Sequence, residues 1–325
     1  MTYRKIAQLA GVSPSTVSKA LSGSSEISRE TAERILKIAE EHGVRRSNYH
    51  KSRANCRVAI LIPEIISVYY SRLGTAMIDE LRKYCIEPYI HICGFDNENF
   101  CRVVNMLCEE KLADGILSLC ASDYTVMSDI PIVGFGMPNS YPRFDTVSNN
   151  IQSGLFEALE YLHSLGHNDI GFISEKHTDS KLRFFRSAMA HLELPVREEY
   201  LYVSRKRFAE IGCEAAEYYM KLTSPPTALV AAYDEVALGA IHTFRKNGIS
   251  VPEDISVIGI NDIPVSSYSS IPLTTIRTFS NELIERAVKL LLDRIKSPEQ
   301  HIVQHIMIKC ELIVRDTTAK AKPHT

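Results

Sequence analysis

Residues 2–44 read TYRKIAQLAGVSPSTVSKALSGSSEISRETAERILKIAEEHGV. The spacing predicts a short helix over 4–10 with Ile6, Leu9 and Ala10 turned inward. Gly11 follows where a tight turn favours a residue without Cβ, and Val12 returns to the core. Ser13 suits an N-cap and Pro14 the first helical position, so a second helix is expected from Ser15 to Leu21. Its apolar face would be Val17, Ala20 and Leu21. Gly23-Ser24-Ser25 breaks the pattern. Ser28 can cap a third helix over 29–42, striped by Ala32, Ile35, Leu36 and Ala39 and ended by Gly43. Three short helices, the first two joined by a glycine turn, form a helix-turn-helix arrangement. Helical spacing alone fits a generic three-helix bundle better. The second helix argues otherwise: it is short, polar on one side and flanked by Lys5, Lys19 and Arg29. Small residues let a helix approach base edges, and cations meet phosphates.

The charge distribution agrees. The net charge is only −2, yet residues 1–55 hold ten Lys+Arg against five Glu. The other 270 residues hold 27 basic and 34 acidic side chains. A basic head on an acidic body fits a head that meets a polyanion. The 325 residues, 45% of them hydrophobic, suffice for two or three domains and argue against a disordered chain. The longest apolar runs, Val58–Pro63 and Val257–Ile260, fall far short of the ~20 residues a membrane helix needs. Without a basic start followed by an apolar stretch no signal peptide is expected, so the chain is expected in the cytoplasm with its eight cysteines reduced. Cys101 and Cys108, two helical turns apart, suit a buried stripe.

With AGVSxxTVSxxL standing in the first helices, the whole segment closely resembles the DNA-binding head of the lactose/galactose repressor family. The resemblance implies that Pro14, Ser15 and Lys19 read bases. It puts Thr16 and Ser18 near phosphates and makes Thr2 a further phosphate contact. In that family a hinge segment follows and usually carries a leucine that wedges into the minor groove. Here the segment is Arg45-Arg46-Ser47-Asn48-Tyr49-His50-Lys51-Ser52-Arg53, with Arg53 near the leucine's place. Arg46, Lys51 and Arg53 can hold phosphates or enter a narrow minor groove, but leucine wedging does not carry over. A plain solvated linker is the other reading.

From residue 56 onward strand-like runs alternate with helix-like ones. Strands are expected at Val58–Pro63, Tyr89–Cys93, Gly115–Leu119 and Pro131–Phe135, then at 170–174, 228–232 and 256–260. Helices are expected at Ser71–Tyr84, Asn99–Glu110, 152–165, 180–191, 208–221, 235–246 and 280–296, with strands near 302–308 and 311–315. Unbroken apolar strands between amphipathic helices indicate parallel sheets covered on both faces. Two such series indicate two similar lobes with a ligand cleft beyond the strand C-terminal ends. This part also resembles the repressor family, whose core looks like a periplasmic sugar-binding protein. The matching stretches are Ala113–Ile116, Ser164–His167, Asp254–Gly259, Pro272–Arg277 and Glu311–Thr317. The expected fold is thus an all-α helix-turn-helix head on an α/β core of two doubly wound parallel-sheet lobes. Its parts are a head over 1–46, a hinge over 47–56 and a core over 57–325. Lobe 1 would hold about 57–150 and 278–303, and lobe 2 about 151–277 and 304–325.

The resemblance also implies an effector site. Tyr69 and Tyr70 match an aromatic pair that packs on the ligand. Lys181 stands where an arginine often grips it. Asn149 and Asn261 stand where acids are common, and Tyr233-Asp234 where an Asn-Asp pair lies. Carboxylates bind sugar hydroxyls through charge-assisted hydrogen bonds, so two Asn favour a different or less hydroxylated ligand, and Lys181 leaves an acidic one open. The other reading is that these residues only tie the lobes together.

No catalytic, metal or cofactor residues are expected. His163 and His167 are four apart, but Gly166 should end that helix first and no HExxH pattern is present. Gly134-Phe135-Gly136 lacks the third glycine of a dinucleotide fingerprint, and there is neither a P-loop nor a GxSxG elbow. The expectation is a cytoplasmic, non-enzymatic transcriptional regulator, a repressor, that binds a near-palindromic operator as a homodimer and answers to a small molecule, a sugar or related metabolite, bound between the lobes. The short polar tail Ala319–Thr325 favours dimers over larger assemblies. A solute-binding module with weakened DNA reading and an enzyme on the same core are the rival classes.

Overall fold

The computed structural model describes residues 3–21, 27–41, 56–120, 128–135, 144–297 and 302–322. In the head, α1 (Tyr3–Ala10), α2 (Pro14–Leu21) and α3 (Arg29–Glu41) close on Ile6, Ala7, Ala10, Val17, Ala20, Ile35 and Ala39. Gly11 links α1 to α2 with φ +65°, a conformation most side chains avoid. The Ser13 hydroxyl accepts from the Thr16 amide at 3.1 Å and so caps α2 as expected. Leu9 departs from expectation. The buried stripe of α1 runs through Ile6, Ala7 and Ala10, and Leu9 on its flank is 51% exposed.

The core begins with β1 (Val58–Ile62), α4 (Val68–Lys83), β2 (Tyr89–Ile92), α5 (Asn97–Glu109), β3 (Gly115–Ser118), β4 (Ile132–Phe135) and β5 (Asp145–Asn150). The chain then crosses to α6 (Ile151–Ser164), β6 (Ile170–Glu175), α7 (Asp179–His191), β7 (Leu201–Ser204), α8 (Ala209–Tyr219), β8 (Ala228–Ala231), α9 (Asp234–Lys246), β9 (Ser256–Ile260) and β10 (Thr274–Arg277). It ends with α10 (Asn281–Lys296), β11 (His305–Lys309) and β12 (Glu311–Ile313). One sheet has the order β11-β5-β4-β3-β1-β2 and the other β12-β10-β9-β8-β6-β7. Every described pairing is parallel except β10 with β12.

Continuous apolar strands make sense here because both sheet faces are covered. In the first lobe α4 and α10 pack through Leu73, Met77, Leu81, Leu283, Ala287 and Leu291 on one face. Phe100, Val103, Val104 and Leu107 of α5 pack on the other. In the second lobe α8 and α9 approach so closely that Gly212 of one and Gly239 of the other lie against the partner's backbone.

Three strands were not expected from the sequence. β5 is DTVSNN, yet Asp145, Thr146 and Ser148 are buried. Arg294 and the Gln304 amide satisfy the Asp145 carboxylate at 2.7 and 2.8 Å, and Thr146 meets His305 at 2.9 Å. β10 hides Thr274 and Thr275 the same way, and β7 is a half-exposed edge. One boundary is corrected. The second lobe was expected to take all of 304–325, but β11 pairs with β5 from His305↔Thr146 to Lys309↔Asn150. It therefore completes the first sheet, and the chain returns to the second lobe only after Lys309. The chain passes between the sheets at three places, near residues 150, 278 and 310.

Candidate functional site

Two sites emerge, one on the head and one between the lobes. On α2 the core takes Val17 and Ala20, which leaves Pro14, Ser15 and Lys19 exposed and Thr16 half-buried. Ser15 and Lys19 are four residues apart and share one helix face. The hydroxyls of Ser15 and Thr16 lie 2.7 and 2.8 Å from that of Ser13, so the start of this face is a preorganised polar cluster. Ser18 lies within α2 and Arg29 opens α3, but their side chains are outside the described residues. So are Thr2, Arg46, Lys51 and Arg53, and with them the hinge.

Between the lobes lies a cleft of about 70 Å³. It sits at the C-terminal ends of the parallel strands, where doubly wound sheets place ligands. Tyr69, Tyr70, Lys181, Tyr233 and Asn261 line it. Tyr69 and Tyr70 open α4 and meet edge to face at 5.3 Å. Burial pushes the Tyr69 hydroxyl up to about 12, opposed by hydrogen bonds with Asn149 and Thr278. Asn149 thus supports Tyr69 and is not among the lining residues. The Lys181 ammonium donates to the Ala232 carbonyl at 2.6 Å, and burial brings it down to about 8 against the pull of Asp234, Glu235 and Glu175. Asn261 is buried with φ +115° and accepts from the Thr278 hydroxyl at 3.2 Å.

Asp234 is placed elsewhere than expected. Its carboxylate is fully buried inside the second lobe and accepts from Thr275 (2.5 Å), Ser266 (2.8 Å) and the Ile263 amide (2.8 Å). Burial raises it and those bonds oppose the rise. It ties α9 to the loop after β9 and does not face the cleft.

The sequence reading did not name the rest of the lining: Ser67, Phe95, Glu175, His177, Thr178, Arg207, Phe208 and Glu235. Arg207 is the centre of the missed group. Its guanidinium ion-pairs with Glu64 of the first lobe and with Glu175 of the second, the latter at 3.0 Å. Burial would lower Arg207, and the two carboxylates more than offset this, so it stays charged. It also lies 4.9 Å from the Phe95 ring and 4.6 Å from Phe208. Phe95 stacks on His177 at 4.3 Å, a second bridge between lobes. One signal was available. Glu64, Phe95, Glu175 and Phe208 all stand at or just past strand C-termini, which the topology rule marks.

The histidines set aside as metal ligands have other partners. The buried His167 ring meets Thr227 and the Ala319 carbonyl, each at 2.9 Å, and His163 meets Asn168 at 3.0 Å. No three His, Cys, Asp or Glu gather as metal ligands among the described residues. Cys93, Cys120 and Cys310 are buried, Cys101 and Cys108 half-buried and Cys85 exposed, all as thiols.

Comparison with known proteins covers both sites. Residues 2–47 match the bacterial regulatory proteins of the lacI family, and residues 159–318 match a periplasmic binding protein-like domain. The HTH-type transcriptional repressor PurR of Actinobacillus pleuropneumoniae serotype 3 is 30% identical over 333 residues, 97% of each chain. Its namesake in Vibrio parahaemolyticus is 29% identical over 98% of this chain and 99% of that one. Among solved structures, a transcriptional regulator CelR–cellobiose complex superposes with a TM-score of 0.71 at 22% identity, covering 98% and 99% of the two chains. A regulator from Enterococcus faecium with bound ribose gives 0.70 at 24% identity over 82% of this chain and all of that one. These structures share the two-lobed fold, and the sequence relatives span head and core together. The chain belongs to the lacI family of bacterial regulatory proteins and is a DNA-binding transcriptional regulator.

Proposed function

We infer that the chain is a repressor that binds a near-palindromic operator as a homodimer in the cytoplasm, with a small polar metabolite in the cleft setting its DNA affinity. The observation that carries this reading is the Glu64–Arg207–Glu175 bridge. It makes the relative position of the lobes depend on what occupies one polar cleft. A ligand that favours one lobe arrangement biases the spacing of paired heads by its differential affinity for the two states. Relatives crystallised with ribose and with cellobiose favour a sugar or a molecule of similar size and polarity.

Dimerisation is supported by an exposed apolar edge. β2 is an outer strand, and its Tyr89, Ile90 and Ile92 are exposed, as are the nearby Ile65, Ile66 and Val68. An open strand edge with apolar side chains is a surface that another chain can cover. A two-fold protein suits a two-fold site. For the cytoplasm the support is the operator itself and the fact that no described helix is long and apolar enough to cross a membrane. The module with weakened DNA reading is less favoured, because the head matches the regulator family throughout residues 2–47.

Selection of bound fragments from random DNA by the full chain, followed by titration of the winner, tests the reading. An inverted repeat should emerge. Lys19→Ala should bind that repeat about tenfold or more weaker, given roughly 1–3 kcal/mol for a base contact. Recovery of no preferred sequence overturns the operator reading, and unchanged affinity of Lys19→Ala removes its assigned role.

A further inference from the structure

The charges of the cleft narrow the ligand class, and this step rests on the reading that the cleft holds the effector. Arg207 shows what the cleft already binds. Its guanidinium sits between the Phe95 and Phe208 rings at 4.9 and 4.6 Å, with Glu64 and Glu175 at its nitrogens. Aromatic faces backed by carboxylates form a box for a cation. Arg207 does not exhaust that box. Glu64 Oε1 and Glu235 Oε2 are buried with no hydrogen-bond partner, and so is the Ser174 hydroxyl beside Glu175. Lys181 is turned to the Ala232 carbonyl and makes no ion pair with Glu235 within 4 Å.

Among the lining residues Glu175 and Glu235 balance Lys181 and Arg207, and Glu64, which pairs with Arg207 from outside the lining, adds one further negative charge to the cluster. A buried acceptor without a donor is destabilising, and a charged one more so. A ligand rich in hydroxyls supplies donors alone. A ligand with an ammonium group supplies donors and the missing charge. An acidic ligand would meet the Glu175 and Glu235 carboxylates, with Lys181 and Arg207 both already engaged. Tyr70, Phe95, Phe208 and Tyr233 provide the ring faces on which a cation or a sugar ring can lie.

We propose that the effector of this regulator carries a protonated amine, as an amino sugar or a short aliphatic amine does, with its ammonium set against Glu235. The acidic ligand that Lys181 left open in the sequence is thereby disfavoured.

Titration calorimetry of the full chain with matched probes tests this. The sets are D-glucosamine, D-glucose and D-glucuronate; D-galactosamine, D-galactose and D-galacturonate; putrescine, 1,4-butanediol and succinate. In at least one set the amine should bind tenfold or more tighter than its neutral partner, with the acid weakest. Glu235→Gln should erase that preference, bringing the amine-to-neutral affinity ratio to within about twofold of one. Thermal melting reports whether the variant folds, and the wild-type ranking decides the question without it. A neutral or acidic probe that equals or exceeds the amine in every set overturns the proposal, as does no binding by any amine or a preference that survives Glu235→Gln. A neutral or acidic probe that binds and shifts operator affinity ends the amine class but keeps cleft control. An amine that binds and leaves operator affinity unchanged keeps the class but ends cleft control.

Discussion

Gly212→Ala should lower the melting temperature of the second lobe by roughly 6–12 °C. The added Cβ would stand 1.9 Å from the Val236 carbonyl oxygen and 2.6 Å from the Ala240 amide nitrogen. Both are backbone atoms of α9, so no side chain can swing aside. The helices would have to part, yet α8 and α9 bury Ile211, Ala215, Ala216, Val236, Ala237 and Ala240 in one core. Overpacking costs typically ~1–3 kcal/mol, more where backbone meets backbone, so about 3 kcal/mol is the expected loss. A domain of this size loses roughly 2–4 °C per kcal/mol. Gly239→Ala should behave alike, since its Cβ would stand 2.1 Å from the Ala209 carbonyl. A melting curve of Gly212→Ala within about 2 °C of wild type would contradict this packing.

Arg207→Ala should leave the lobes apart. Arg207 is a quarter exposed, whereas its partners Glu64 and Glu175 are 15% and 3% exposed. Removing one partner of a buried charge pair costs ~3–5 kcal/mol, because the other charge stays buried and unpaired. The partial exposure of Arg207 puts this case at the lower end. The two carboxylates then repel, and opening the cleft to water is the cheapest relief. About 3 kcal/mol moves an open–closed equilibrium by more than a hundredfold. Small-angle scattering of the wild type and variant should show a larger radius of gyration for Arg207→Ala. Superimposable curves would mean that the bridge does not hold the lobes.

Much of this was legible in the residues, and the gaps have physical causes. The head was readable because each signal is local: Gly11 for a positive φ, Ser13 and Pro14 for a helix start, and a stripe at 3.6-residue spacing. Leu9 misled because an apolar residue one position off the stripe looks like part of it. Apolar strands such as Val58–Ile62 announced themselves, whereas β5 and β10 bury polar side chains whose partners lie far away in sequence. Arg294 is 149 residues from Asp145, and Asp234 is 41 from Thr275. No window along the chain contains both members of such pairs.

The cleft followed the same division. Tyr69, Tyr70, Lys181, Tyr233 and Asn261, named from the family resemblance, do line the cleft. Glu64, Phe95 and Glu175 were missed because their one signal, a place at or just past a strand C-terminus, is shared by many residues, and Arg207 lies in a loop without even that. Their meaning comes from the ends of β1, β2 and β6 and the loop after β7, which meet only in the folded lobes. Asp234 shows the converse error. A carboxylate beside a cleft position was read as ligand-facing, although three donors inside the second lobe claim it.

The central claim is that one chain couples the cleft to the head. The most direct measurement is the operator dissociation constant of the full chain at one fixed salt concentration, with and without a cleft ligand at saturation. Coupling of roughly 1–3 kcal/mol between sites gives a change of about 5- to 150-fold. A shift in that range, in either direction, is the expected result. An operator affinity that stays the same while calorimetry shows the cleft filled would contradict it.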